Sequence, residues 1–175
     1  METILNDYAY QQIEKSARQA DKCIVFANSN SGEGYITVDR NMGDRNNLTL
    51  WNAGDALIES VTSQCRDTTV VLHTTGAVDM ESFYDNPNVT AIVFAGLPGQ
   101  ESGNSLVDIL FGAVNPSARL PYTIAKRRND YSAEVLYLSN SNGSIDVPQI
   151  TYDEVRPFSF LIFFVSLTLA PRRNS

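Results

Sequence analysis

The sequence contains few of the residues that metal-binding and nucleic-acid-binding proteins depend on. Among 175 residues there are two cysteines and one histidine. The cysteines lack metal-ligand spacing and a single histidine cannot complete a set of ligands, so no metal site is expected. Acidic residues outnumber basic ones by 20 to 13, giving a formal net charge of −7. This balance argues against nucleic acid as a partner.

Motifs of several other protein classes are also missing. No GxSxG elbow is present, so a Ser/His/Asp triad is not expected, and His73 is predicted to be a hydrogen-bonded structural residue. SGEG at 31–34 does not satisfy GxGxxG, and GLPGQESGN at 96–104 lacks a P-loop lysine, which argues against nucleotide binding. The apolar run 158–170 is shorter than the roughly 17 residues that span a bilayer, and the N-terminus has no secretory signal pattern.

Short β-rich runs alternate with helical patterns along most of the chain. This alternation predicts an α/β fold, a mainly parallel sheet flanked by helices on both faces. The first strand has no helical period, as in a strand buried on both faces. Asn6 and Asp7 are cap candidates for the first helix and Thr49 for the second. The predicted strands are 22–27, 68–73 and 89–96, the predicted helices are 8–20, 49–64 and 101–112, a short helical piece falls within 76–88, and 119–124 is extended.

The loop from 28 to 47 is the strongest candidate for a functional segment. Twenty residues without regular structure in a compact domain usually have a function, and ligands of open α/β sheets lie beyond the carboxyl ends of the strands. Gly32 and Gly34 would allow positive φ and hold Glu33 out as an exposed acid. Tyr35 adds an aromatic face, so the pair suits a sugar, while Asp39, Asp44 and Arg45 are expected to shape the loop through hydrogen bonds.

Three long motifs resemble a known family. NSNSGEGYITVD at 28–39, GDRNNLTLW at 43–51 and NPNVTAIVFAGLPGQESGNSLVDILFGAVNPSARLPYTIAK at 86–126 are similar to the C-terminal α/β-sandwich domain of fungal glycoside hydrolase family 3 β-glucosidases. The resemblance runs from about Tyr8 to about Glu154. It implies hydrolysis of terminal non-reducing β-D-glucosyl residues with retention, without a cofactor. The physical properties of the sequence do not separate β-glucosidase from β-xylosidase, so that choice rests on the closeness of the resemblance.

The resemblance also assigns roles to residues. Glu33 matches the general acid/base glutamate, and Tyr35 matches the aromatic wall of the leaving-group subsite. The nucleophilic aspartate of the family belongs to an N-terminal (β/α)8 barrel, which this chain does not contain. The expected partners are therefore β-glucosides or cello-oligosaccharides and that barrel. The alternative is a catalytically incomplete α/β module, or remnant, with at most weak sugar binding.

The domain organisation predicted from these observations has three parts. Residues 1–128 form a partial α/β-sandwich domain, because the family implies an earlier strand and helix; 129–155 form an irregular loop region; and 156–175 are an aberrant apolar tail, by hypothesis a translated intron. Poor solubility of the isolated chain follows from an unpaired sheet edge. The parent enzyme is expected to be extracellular, with N-glycosylation sequons at Asn47, Asn88 and Asn142. Cys23 and Cys65 are expected to be free thiols rather than a disulfide.

Overall fold

The computed structural model describes residues 2–131, apart from residues 33, 35, 39 and 40. Side chains are described from residue 9 onward, except at residues 38 and 41. In chain order the elements are α1 (Glu2–Arg18), β1 (Cys23–Ser29), β2 (Thr37–Val38), β3 (Asn41–Met42), α2 (Gly54–Thr62), β4 (Thr68–Thr74), β5 (Val89–Phe94), a 3-10 turn at Gly99–Glu101, α3 (Ser102–Leu110) and a 3-10 turn at Arg128–Asp130.

The main sheet consists of three parallel strands in the order β1-β4-β5. β1 pairs with β4 from Cys23↔Thr68 to Ser29↔Thr74, and β4 pairs with β5 through Val70↔Ile92. Each connection contains at least one helical turn, and parallel strands need such crossovers. The predicted α/β architecture with a parallel sheet is confirmed.

One face of this sheet carries the main core. Alternate residues of a strand point to the same face, and on this face residues of β1 and β4 share one core with residues of α1 and α2. Ile58 of α2 is completely buried there. The buried members of this core are Ala17, Val25, Ala27, Leu50, Ile58, Val61, Cys65, Val70, Leu72, Val78, Met80, Phe83 and Ile124.

The opposite face is covered only in part. Val71, Val93 and Leu106 form a small second core beneath α3. The β1 residues on this face, Ile24 and Phe26, are 46% and 55% exposed. The prediction that β1 is buried on both faces is therefore wrong for the described part of the chain, because α3 lies over β4 and β5 and leaves β1 open.

Two helices begin at other residues than predicted. α1 begins at Glu2, so Asn6 and Asp7 lie inside it rather than capping it. α2 begins at Gly54, five residues after the predicted cap Thr49. Asn52 and Ala53 immediately before it have φ of 55° and 54°, in the left-handed region that cannot continue a right-handed helix.

Three connecting segments also differ from the predictions. Segment 28–47 was expected to be structureless, but it contains an antiparallel hairpin of β2 and β3. Segment 76–88 makes a single turn, in which the N–H of Tyr84 donates to the carbonyl of Met80 at 2.8 Å. Segment 119–124 is not paired in a sheet, although its last residue, Ile124, is 1% exposed and belongs to the main core.

Cys23 and Cys65 form a disulfide, which corrects the expectation of free thiols. Cys23 begins β1, and Cys65 lies between α2 and β4, with 6.4 Å between the two Cα atoms. Lys22 and Asp67 form an ion pair beside the bridge. The bridge thus joins the chain at the N-terminal ends of two neighbouring strands, and the candidate loop lies at the opposite, carboxyl end of the same sheet.

Across the described residues, no helix has the length and apolar character needed to cross a membrane.

Candidate functional site

The candidate loop leaves the carboxyl end of β1 and returns to the core at Leu50, which is 4% exposed. Glu33, Tyr35 and Asp39 lie outside the described residues, whereas most of the residues around them are described. The geometry of the site is therefore built from those neighbours. Their hydrogen bonds show how the two ends of the loop are fastened to the sheet.

Arg45 joins the loop to the ends of two strands. Its Nη1 donates to Ser29 Oγ at 2.7 Å and to the carbonyl oxygen of Ala77 at 2.9 Å. Ser29 is the last residue of β1 and is completely buried, while Ala77 follows the end of β4. The backbone N–H of Arg45 also donates to Ser31 Oγ at 3.2 Å, and that hydroxyl donates to Asp44 Oδ1 at 2.9 Å. We call these five residues the Arg45 clasp.

Two glycines bring the strands of the loop together beside the clasp. The N–H of Gly32 donates to the carbonyl of Gly43 at 3.4 Å, and the N–H of Gly43 donates to the carbonyl of Ile36 at 2.8 Å. A Cβ at Gly32 would lie 2.4 Å from Ile36 Cδ1, so a side chain there would displace Ile36. Gly32 does not take positive φ, contrary to the prediction; Gly43 does, at 84°. The hydrogen bonds expected for Asp44 and Arg45 are present.

The electrostatics of the clasp are those of a partly buried cation. Burial lowers the pKa of the Arg45 guanidinium, and the nearby Tyr122 hydroxyl acts in the opposite direction. Burial also raises the pKa of Tyr122, against the opposing effect of Arg45. Arg45 stays charged at any physiological pH because a guanidinium is not deprotonated within a protein. Its charge is therefore a fixed feature of this loop.

A cleft of about 660 Å³ opens next to the loop, at the carboxyl ends of β1 and β4. Phe26 and His73 stack at its base, with 6.4 Å between ring centroids and 21° between ring planes. Asn52 Nδ2 donates to Asn28 Oδ1 at 3.2 Å at its rim. His73 Nε2 is buried and makes no hydrogen bond with the described residues, so the expected hydrogen bond is not found at this atom.

A second cleft of about 420 Å³ lies past the ends of β4 and β5. Its lining includes Thr75, Leu97, Arg119 and Tyr122. Sequence reasoning missed both clefts, because they are formed by residues distant in the chain. The register of β1 and β4 is what brings the residues of the first cleft together. Asn28 pairs with His73, and side chains alternate along a strand, so Phe26, Asn28 and His73 lie on one face of the sheet.

Two of the three predicted glycosylation sites are described, at Asn47 and Asn88, while Asn142 lies outside the described residues. Both described asparagines are half-buried. Asn88 Nδ2 donates to the carbonyl of Thr62 at 2.8 Å, and Asn47 Nδ2 donates to Asn46 Oδ1 at 3.2 Å. A glycan replaces one of the two hydrogens on this nitrogen, so each bond can remain only through the other hydrogen, and the bond at Asn88 also anchors its loop to α2.

In the described part of the chain, no three His, Cys, Asp or Glu side chains are grouped so that they could hold a metal ion. The loop sequence offers carboxyl groups, amides, hydroxyls and the guanidinium of Arg45. A carboxyl group on such a loop is suited to proton transfer, and the neighbouring amides and aromatic rings are suited to a hydroxylated ligand.

Comparison with known families and proteins gives one consistent result. Residues 2–163 match the family described as the glycosyl hydrolase family 3 C-terminal domain. β-Glucosidase 1 of Aspergillus aculeatus is 51% identical over 152 residues, which make up 86% of this chain and 17% of that protein. A β-glucosidase sequence of Schizophyllum commune is 51% identical over 150 residues, 86% of this chain and 76% of that sequence.

The structural comparison agrees. A family 3 β-glucosidase from Neurospora crassa superposes with a TM-score of 0.69 at 55% identity, over 75% of this chain and 16% of that one. The chain thus spans about a sixth of the length of that enzyme and of its Aspergillus relative.

Proposed function

The chain belongs to glycosyl hydrolase family 3, and we propose that it supplies the general acid/base loop of a retaining β-glucosidase. The substrates are small β-glucosides or cello-oligosaccharides with a terminal non-reducing β-D-glucosyl residue. The observation that carries this proposal is the match of the family to residues 2–163, which include a glycine-flanked glutamate on a loop beyond the carboxyl end of β1.

In this proposal Glu33 acts in both steps of the reaction, first as a general acid and then as a general base. Retaining glycosidases place two carboxyl groups about 5 Å apart, one as nucleophile and one as acid and then base. Glu33 first donates its proton to the departing glycosidic oxygen while the nucleophile forms a bond to the anomeric carbon. It then takes a proton from the water that displaces the nucleophile. Tyr35 stacks against the leaving group.

The nucleophile is proposed to come from the (β/α)8 barrel of the parent enzyme. The chain alone then has half of the catalytic pair and is expected to be inactive on a chromogenic aryl β-glucoside, as is its E33Q variant. Glucosidase activity of the 175-residue chain that disappears in E33Q would contradict this, because it would require a nucleophile within these residues.

A hybrid enzyme tests the role of Glu33 directly. Residues 8–154 of this chain would replace the matching segment of the Aspergillus aculeatus enzyme. E33Q in the hybrid is expected to lower kcat on an alkyl β-glucoside by about 100- to 10,000-fold. On a dinitrophenyl β-glucoside kcat/KM should change little, because that leaving group departs without protonation, whereas kcat should still fall because hydrolysis of the glycosyl-enzyme lacks its general base. Azide should restore turnover with the good leaving group by attacking the glycosyl-enzyme, which needs no general base.

E101Q is the matched control for this experiment. Glu101 is an exposed carboxylate that accepts a hydrogen bond from Asn104 at 3.0 Å, well along the chain from the loop. The E101Q variant should hydrolyse both substrates with the same kcat and kcat/KM as the hybrid without the substitution. Equal kcat for E33Q and E101Q on the alkyl glucoside would refute the proposed acid/base role.

An extracellular location of the parent enzyme is part of the same proposal. The Cys23–Cys65 disulfide supports it, since disulfides persist in oxidising compartments and are rare in the cytosol. The sequons at Asn47, Asn88 and Asn142 are consistent with it.

A further inference from the structure

Arg45 is the residue at which the candidate loop, β1 and the segment after β4 meet. Its side chain reaches inward to Ser29 and Ala77, and its backbone reaches back along the loop to Ser31. Ser31 precedes Glu33 by two residues. One residue thus connects the segment that enters the Glu33 position with the carboxyl ends of two core strands.

The guanidinium of Arg45 lies where the ends of β1 and β4 are joined by backbone hydrogen bonds. A Cβ built at Gly76 would lie 3.5 Å from Arg45 Nη2, so the guanidinium lies against the chain that follows β4. The carbonyl of Ser29 accepts a hydrogen bond from the N–H of Thr75 at 3.3 Å, which joins the same two strand ends. A planar guanidinium with five donors suits this place, because one nitrogen can donate to a hydroxyl and a carbonyl at fixed angles.

The second half of the loop depends on the same anchor. Asp44 and Gly43 immediately precede Arg45, and they hold Ser31 and Gly32 through the hydroxyl–carboxylate and backbone hydrogen bonds described above. Without the guanidinium, the loop would lose its direct side-chain bonds to the strand ends, and the hydrogen bonds between its two halves would open more often. The orientation of the whole loop against the sheet would then be free to vary.

We infer that Arg45 is a positioning residue, which fixes the loop carrying Glu33 against the carboxyl ends of β1 and β4. The mechanical part of this inference stands on the contacts alone. The catalytic part rests on the proposed function of Glu33.

The test uses the complete 175-residue chain labelled with ¹⁵N, in R45M, R45K and R18M variants. In R45M the amide hydrogens of Gly32 and Gly43 should exchange with solvent at least about tenfold faster, because the loop opens locally without global unfolding. The amide of Leu72, in the centre of β4, should keep its rate. R18M is the control, since Arg18 is exposed and donates only to the Gln64 side chain among the described residues.

A spectroscopic signature separates positioning from general stabilisation. The amide signal of Gly34, on the far side of Glu33, should move toward its random-coil position in R45M and return most of the way in R45K. The lysine ammonium is a shorter donor that can still reach one of the two acceptors, so partial recovery is the expected result. S31A provides a second perturbation if R45M does not fold, and it should release Gly32 in the same way.

Unchanged exchange at Gly32 and Gly43 in R45M or S31A would overturn the inference. A uniform rise that includes Leu72 would also overturn it, because Arg45 would then stabilise the whole domain rather than the loop. Neither readout involves a sugar. Full activity of E33Q in the hybrid enzyme would refute the proposed function and leave the clasp unaffected.

Discussion

Removing the Cys23–Cys65 disulfide should destabilise this domain substantially. The bridge closes a loop with a sequence separation of 42 residues. In the chain-entropy treatment, a cross-link of that span reduces the entropy of the unfolded chain by an amount worth about 4 kcal/mol at 25 °C. A domain of this size has a total stability of roughly 5–15 kcal/mol, so the bridge accounts for a large share.

Reduction is the cleanest perturbation, because it leaves every side chain in place. Thermal unfolding of the full chain should shift downward by about 10–15 °C when a phosphine reductant is present. The C23A/C65A double variant should unfold at a similarly low temperature and should not respond to the reductant. That second observation separates breaking of the bridge from any other effect of the reductant on the protein.

The chemistry of the thiols provides the refuting result. The unfolded, unreduced chain should not react with an alkylating reagent, and after reduction it should gain two alkyl groups by mass. Two alkyl groups before reduction would show that the thiols are free and would refute the reasoning. An unfolding temperature that reduction does not change would contradict the entropic argument even if the bridge exists.

Two further predictions concern single residues. Hydrogen bonds from Lys22 and then Thr90 lower the pKa of Asp67, so the carboxylate stabilises the fold above about pH 4 and loses this effect as pH falls through its lowered pKa. In urea unfolding, the D67N variant should therefore lose less than about 1 kcal/mol at pH 6, and the loss should shrink as the pH is lowered below about 4. A loss that does not shrink over that range would contradict this. Ala53 has φ of 54°, so the A53G variant should be more stable by about 1 kcal/mol in chemical denaturation. The control, A56G inside α2, should be less stable by about the same amount. A loss of stability in A53G would count against the strained backbone.

The parts of the fold that the sequence predicts well are those with strong periodicity. The apolar runs at β4 and β5 are unfavourable when exposed to water. Because helical patterns separate them, a parallel sheet flanked by helices is the arrangement that buries them. The start of α2 shows the limit of this reasoning. Asn52 is a weak turn signal before Gly54 and takes φ of 55°. A contact distant in sequence acts at the same point, where the N–H of Trp51 donates to the carbonyl of Asn28.

The open face of β1 and the disulfide were missed for a related reason. The run CIVFA at 23–27 is apolar at every position, so it does not show that Phe26 faces outward while Val25 faces the core. Cys23 and Cys65 are far apart in sequence, and no spacing rule connects them. Only the register that places Cys23 opposite Thr68 brings the two sulfur atoms together.

The candidate site, too, has some features that local sequence predicts and others that depend on contacts distant in sequence. Glycines beside Glu33 are a local signal, and they single out the loop without any knowledge of the fold. The residues that hold the loop are a long-range signal: Arg45 bonds to Ala77, 32 positions further along the chain, and lies near Tyr122. From the sequence, Arg45 was one of several polar residues with a general role in shaping the loop. In the structure its guanidinium joins the loop to two strand ends, so a change at Arg45 should disturb the Glu33 position more than a change at the exposed residues nearer to it.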